Sequence, residues 1–360
     1  MSTHLKVVTA FISVFAALVV GYKLAQPKIA SYLMQRTTMK NAGFDRTTVL
    51  PDGIHVFICG AGSPMPDPKR SGPCTGIVAG DKVFVVDTGG GSIGNLGRMG
   101  FPLGRVDAAL LSHLHSDHID GLGEFLLQSW INGSRKTPTP VIGPVGTKTV
   151  VEGFNAAYRL DSTYRTAHHG TEIADPQGFG GETREFSVGA IAETILEEDD
   201  LKITAVAVHH NPAEPAVGYR FDYKDRSVTL SGDTIYHPGL VAVAKGSDLL
   251  VHEALNIEMV EILRGALEDK GFDNLAKVMF DIQDYHTTPV DAARAANEAE
   301  VDALLLNHIV PPLPSKMLYP LFLQGTENKF DGTITIAEDG QIFSLPSDSD
   351  EIIHSKGFGF

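Results

Sequence analysis

Apolar and polar positions alternate along the chain in a way that predicts strands and helices in two successive groups. Residues 55–64, HVFICGAGSP, begin as an apolar β-prone run and end in Gly and Pro, which predicts a strand followed by a loop. GIVAGDKVFVVDTGGG (76–91) reads as a hairpin turning at Gly80-Asp81. VDAALLSHLHSDHIDGLGEFLLQSW (106–130) predicts a buried strand, a histidine-rich loop and an amphipathic helix. TPVIGP (139–144) adds a strand, and TKTVVEGFNAAYRL (147–160) has helical spacing. Residues 161–195 read as irregular. Then LKITAVAVHH (201–210) and VGYRFDYKDRSVTLSGDT (217–234) predict strands, 255–300 is a long helical region, and DALLLNHIVPP (302–312) is a buried strand ending in histidine. GTITIAEDGQIFSL (332–345) reads as a last hairpin with Asp339-Gly340 at its turn. This layout predicts an α/β fold, an αββα sandwich of two mixed sheets flanked by helices.

The amino terminus departs from this pattern. Lys6 precedes VVTAFISVFAALVVGY, 16 uncharged residues before Lys23. The run is shorter than the roughly 20 residues of a full span and suits a signal core or short anchor. The expected organisation is a signal or anchor at 1–26, a connecting segment at 27–52 helical at most in its first half, a folded domain at 53–346 and a tail at 347–360. Such a chain is expected to be exported, either released or held at a membrane by its first residues.

Charge and cysteine content narrow the chemistry. Asp and Glu number 44 against 29 Lys and Arg, a net charge of −15, with no Lys/Arg run to grip a nucleic-acid backbone. A nucleic-acid partner is therefore unexpected on charge alone. Two cysteines against 14 histidines leave nitrogen and oxygen as the ligands for any metal.

Those ligands are concentrated in Ser112-His113-Leu114-His115-Ser116-Asp117-His118. His113 and His115, two apart, point the same way from an extended segment. Four potential ligands within six residues, just beyond a buried strand, converge only around something cationic, and imidazole with carboxylate suits zinc or a related metal.

The HLHSDH run resembles the signature of the metallo-β-lactamase superfamily. Later segments resemble its branch containing ribonuclease Z, arylsulfatases and class II cyclic-nucleotide phosphodiesterases. In that family a histidine follows a strand ahead of a Gly-Tyr-Arg segment, here Val208-His209-His210 with Gly218-Tyr219-Arg220. Neighbouring side chains on a strand face opposite ways, so only one of the two histidines reaches a metal; the family pattern implies His210. The Ser-Gly-Asp-Thr turn at 231–234 implies a bridging Asp233, and LLLNHIV implies His308 as the last ligand. The implied cofactor is two Zn²⁺, with Mn²⁺ or Fe as substitutes. One metal would take His113, His115, His210 and Asp233, and the other Asp117, His118, His308 and Asp233, with an activated water between them. Asp117 is also a candidate proton acceptor.

Val251-His252-Glu253-Ala254 and His286-Thr287-Thr288 resemble the family segments whose Glu and His couple to protonate a leaving group. Glu253 and His286 would act so here, the carboxylate favouring the imidazolium. Asp87 is expected to support the ligand loop. Arg70 either meets an anionic substrate or stabilises its own loop. Tyr158, Asp161, Tyr164, His168 and His169 fall where relatives place substrate-covering insertions.

The resulting expectation is a dinuclear hydrolase of small anionic esters, a phosphodiesterase or arylsulfatase acting through a metal-bridging hydroxide, dimeric like its relatives. The alternatives are a ribonuclease Z-type tRNA 3′-processing endonuclease and a non-catalytic metal-binding protein.

Overall fold

The same apolar alternation that predicts the strands decides which face of each sheet is covered. The structure is a computed structural model that describes residues 3–189 and 192–357. Residues 1–2 of the expected targeting segment and 358–360 of the expected tail lie outside the described residues. The chain divides into two units, residues 1–45 and residues 46–360.

The first unit is one helix, α1 (Thr3–Asn41), which passes through Pro27. The expected connecting segment from residue 27 is therefore helical as far as Asn41. Its residues favour helix and include no glycine until Gly43, whose positive φ of 68° follows the helix end.

In the second unit, β1 (Gly53–Gly60), β2 (Cys74–Ala79), β3 (Lys82–Val86), β4 (Ala108–Leu110), β5 (Thr139–Pro144) and β6 (Gly181–Phe186) belong to the first sheet. The second holds β7 (Glu193–Glu198), β8 (Leu201–Val208), β9 (Ala216–Tyr223), β10 (Arg226–Leu230), β11 (Leu249–Leu255), β12 (Ala303–Val310) and β13 (Thr333–Ile336). The chain then returns to the first sheet with β14 (Gln341–Pro346) and β15 (Ile353–Lys356). Strand orders are β15-β14-β1-β2-β3-β4-β5-β6 and β13-β12-β11-β10-β9-β8-β7.

On β1, Ile54, Val56 and Ile58 face the second sheet, where they meet Ile203, Phe221, Val228 and Leu305 in the central core. Phe57 and Cys59 face the other way, as a strand period of two requires. That outer face is covered by α2 (Ser92–Met99) and α4 (Leu122–Gly133), with α3 (Ser116–Ile119) and α5 (Thr147–His169) alongside. The far face of the second sheet packs against α9 (Pro289–Glu298), whose Ala292, Ala293 and Ala296 approach Leu304 and Leu306. The remaining helices are α6 (Pro238–Ala244), α7 (Ile257–Asp269), α8 (Asp273–Asp281) and α10 (Tyr319–Phe322). The architecture is thus the expected αββα sandwich.

Three local expectations are corrected. Residues 161–195 hold the end of α5, all of β6 and the start of β7. Those two strands are edges of charged sequence, GETREF and ETILEE, so no apolar alternation announces them. Residues 332–345 do not form a hairpin, because β13 pairs with β12 and β14 with β1 in the other sheet. The Asp339-Gly340 turn makes this crossing, and the Asp339 carboxylate accepts the backbone N–H groups of Ala61 and Ser71 at 2.9 and 2.8 Å. The tail beyond residue 346 adds β15, antiparallel to β14.

Cys59 at the end of β1 is disulfide-bonded to Cys74 at the start of β2, 15 residues on. Closing a loop of that length stabilises the fold by about 3 kcal/mol. The double substitution Cys59→Ala/Cys74→Ala is expected to lower the melting temperature by about 5 °C. A calorimetric scan showing no change would mean that the bridge contributes nothing.

Candidate metal centre

Strand ends from both sheets meet at one edge of the sandwich. β4 ends at Leu110, and the five residues before α3 carry His113 and His115, with Asp117 and His118 in α3 itself. The sheets are tied beneath this loop: Tyr219 Oη donates to the Leu111 carbonyl at 2.6 Å, and Val217 N–H donates to the Ser112 carbonyl at 2.9 Å. His210 follows β8, and Asp233 follows β10. His308 sits within β12 at a bulge: Glu253 and Ala254 pair with Asn307 and Ile309, leaving His308 unpaired with φ 44°. A bulge of this kind re-aims one side chain, and the positive φ of a non-glycine residue is strain held by its surroundings.

The seven expected ligand residues converge. His115 Nδ1 lies 3.1 Å from His113 Nε2 and 3.2 Å from His210 Nε2. On the other side, His308 Nε2 is 3.3 Å from Asp117 Oδ2, and His118 Nε2 is 3.6 Å from the same oxygen. Asp233 Oδ2 joins the two groups, at 3.3 Å from His118, 3.2 Å from His308 and 3.9 Å from both His113 and His210. The ambiguity at 209–210 resolves in favour of His210. The His209 side chain is half exposed and pairs with Glu214 at 2.9 Å, outside the cluster.

Ring orientations are set from behind. Asp87, itself at φ 57°, accepts from Ser112 N–H at 2.8 Å, Ser112 Oγ at 2.7 Å and His118 Nδ1 at 2.9 Å. His210 Nδ1 donates to the Tyr285 carbonyl at 2.9 Å. Both contacts leave Nε2 facing inward, the arrangement that metal-bound imidazoles adopt.

The donor set fits a cation. His118 Nε2 and His308 Nδ1 are buried without hydrogen-bond partners, and His113 Nε2, His115 Nδ1 and His210 Nε2 crowd one point. Although burial opposes it, Asp233, Asp87 and Asp117 hold His118 well above its ordinary pKa. His308 likewise overcomes burial through Asp233 and Asp117 and rises to about 8. The cluster therefore demands positive charge at its centre.

Glu253 and His286 also meet here. His286 Nδ1 is 3.0 Å from Glu253 Oε1, which also accepts the backbone N–H groups of Thr287 at 3.0 Å and Thr234 at 3.2 Å. The His286 ring lies 5.3 Å from that of His308 and 5.1 Å from that of His210. Burial pushes His286 down to about 4, and burial together with Asp233 pushes Glu253 up.

Arg70 takes the structural alternative. It is buried, donating to the Ala337 carbonyl at 2.9 Å and to Tyr319 Oη at 2.8 Å. Tyr158, Asp161, Tyr164, His168 and His169 lie along α5 and are not among the described residues that line the cleft.

Sequence reasoning missed the cleft itself. A cavity of about 600 Å³ opens above His115, Asp117, Asp233, His286 and His308, walled mainly by Met65, Leu263, Leu267, Leu275, Met279 and Ile282. Their helical spacing in 263–282 was a readable signal, but core packing produces the same spacing.

The model of the beta-lactamase superfamily domain matches residues 83–309. Ribonuclease Z of Mycolicibacterium gilvum is 36% identical over 262 residues, covering 72% of this chain and 85% of that protein. Ribonuclease Z of Mycobacterium bovis is 34% identical over 290 residues, 79% and 96% of the two chains. Among solved structures, the metallo-β-lactamase fold protein YhfI of Bacillus subtilis aligns with a TM-score of 0.58 at 18% identity, over 82% of this chain and all of that one. The short form of human tRNase Z aligns at 0.56 and 21% identity, over 81% and 99%. The ribonuclease Z relatives overturn the expectations that nucleic acid is an improbable partner and that the substrate is a small anionic ester. A net charge of −15 is a sum over the whole chain, whereas a phosphate group responds to the local field of its site.

Asp87 touches no expected metal position and acts only through Ser112 and His118. Asp87→Ala is expected to weaken divalent-metal affinity by about 10–100-fold while the protein stays folded. Unchanged affinity in a competition titration would remove its orienting role.

Proposed function

The chain belongs to the metallo-β-lactamase superfamily, in the branch that includes ribonuclease Z, and on that premise we propose that it hydrolyses phosphodiester bonds in RNA in the manner of ribonuclease Z. The observation that carries this reading is the identity of 34–36% with ribonuclease Z over most of both chains, in a protein whose own geometry assembles a full two-site donor set.

His113, His115 and His210 would hold one cation and Asp117, His118 and His308 the other, with Asp233 reaching both. Zinc is the metal that this mixture of imidazole and carboxylate favours. Two such cations would polarise the phosphodiester and bring the pKa of a water towards neutrality.

The chain's own groups supply the proton transfers. Asp117 lines the cleft and would take a proton from the attacking water. Glu253 accepts the Nδ1–H of His286 at 3.0 Å, which fixes the tautomer and leaves Nε2 for the substrate side. An anionic phosphodiester beside this buried ring raises its proton affinity, so His286 becomes the acid that protonates the leaving oxygen.

The test is cleavage of a labelled tRNA precursor carrying a 3′ trailer by the zinc-loaded full chain. The expected result is a single cut, lost on chelation, with His286→Ala slower by about 10²–10⁴-fold. A metal-loaded protein that leaves the precursor intact would contradict the RNA reading. Equal rates for the wild type and His286→Ala would remove the acid role alone.

A further inference from the structure

The second unit exposes large apolar side chains unevenly. Among its described residues fourteen are exposed, and seven of them fall within 257–280: Ile257, Ile262, Leu263, Phe272, Leu275, Val278 and Phe280. This stretch is the hairpin of α7 and α8, turning at Lys270–Phe272. Its inner side is satisfied, with Val260, Leu267, Met279 and Ile282 packed against Leu255, Val310 and Met65. Its outer side presents Ile262, Phe272 and Phe280 at 61, 51 and 60% exposure. Concentrated exposure of this kind marks a surface that is covered by something.

The chain's other features identify what covers it. Residues 257–281 carry six acidic side chains, at 258, 261, 268, 269, 273 and 281, against three basic ones, at 264, 270 and 277. This net charge of −3 repels anionic lipid headgroups. α1, by contrast, is long and apolar enough to cross a membrane, and none of its apolar window is buried by the rest of the chain. Only residues 42–45 separate α1 from the second unit. From Tyr22, the end of the apolar run, to Asn41 is at most about 30 Å of helix. An embedded α1 therefore holds the domain at high effective concentration beside the lipid surface. The Cys59–Cys74 bridge fits the oxidising side of a membrane.

We propose that the outer faces of α7 and α8 dock into the interface of a zwitterionic phospholipid bilayer, so that the mouth of the catalytic cleft opens at the lipid surface. Interfacial helices of this type sink their apolar face about 5–10 Å into the headgroup–acyl boundary. Phe272 at the turn and Phe280 on α8 would enter deepest, with Ile262 beside them and the Glu261–Arg264–Glu268 ion pairs left in the headgroup layer. The inference does not depend on RNA being the substrate.

Because the native cysteines are bonded to each other, an introduced cysteine is the single free thiol for an environment-sensitive fluorophore. The full chain carrying Phe280→Cys, labelled and reconstituted in phosphatidylcholine vesicles, is expected to emit further to the blue than in detergent-free buffer. It is also expected to be quenched severalfold by brominated acyl chains. The same label at Leu160→Cys, an exposed apolar position on α5, serves as the control and should be quenched little. Adding Ile262→Asp and Phe272→Asp should abolish the quenching at 280 without lowering metal content. Equal quenching at 160 and 280, or none at 280, would overturn the proposal. So would a blue shift that appears without lipid, either on adding RNA or on raising protein concentration, because each would name a different occupant.

Discussion

Asp233 is buried to 3% exposure, with one carboxylate oxygen within 3.9 Å of ring nitrogens from four histidines. A carboxylate enclosed in this way costs several kcal/mol unless positive charge is fixed beside it. Much of the fold serves that requirement. Residues beyond β4, β8 and β10 and within β12 must arrive at one edge of a sandwich whose sheets are held in register by a shared apolar core. The Tyr219 and Val217 hydrogen bonds to the ligand loop, the bulge that turns His308 inward and the Asp87 carboxylate behind His118 all limit how far any donor can drift. The strained φ angles of Asp87 and His308 are the local cost of this convergence.

The layers and most strands were legible in the sequence because apolar residues are spaced by two in the strands and by three or four in the helices. The first four candidate ligands were legible for a different reason: HLHSDH packs four potential metal donors into six residues after a buried strand. The later ligands are single residues in ordinary strand-end contexts, and only the family resemblance set them apart. Choosing His210 over His209 needed the backbone direction after β8, which the sequence alone leaves open. Where patterning was weak the reading failed. β6 and β7 are charged edge strands, and the turn at Asp339-Gly340 looks the same whether it joins two strands of one sheet or carries the chain between sheets.

Net charge did not exclude a nucleic-acid partner. The 44 acidic residues are spread over a surface tens of ångströms across, while recognition of a phosphodiester depends on the few groups at the cleft floor. The cleft combines that polar floor with aliphatic walls contributed by α7 and α8. The same two helices bound the cleft and carry seven of the fourteen exposed large apolar side chains described in the second unit.

Seven side chains would together hold two cations, with Asp233 reaching both, and counting bound divalent metal per chain by mass spectrometry of the dialysed full-length protein and of Asp233→Asn decides whether they do. The account predicts about two ions per chain in the wild type and loss of metal from both positions in the variant. One ion or none in the wild type after incubation with zinc, or an undiminished two in Asp233→Asn, would contradict it.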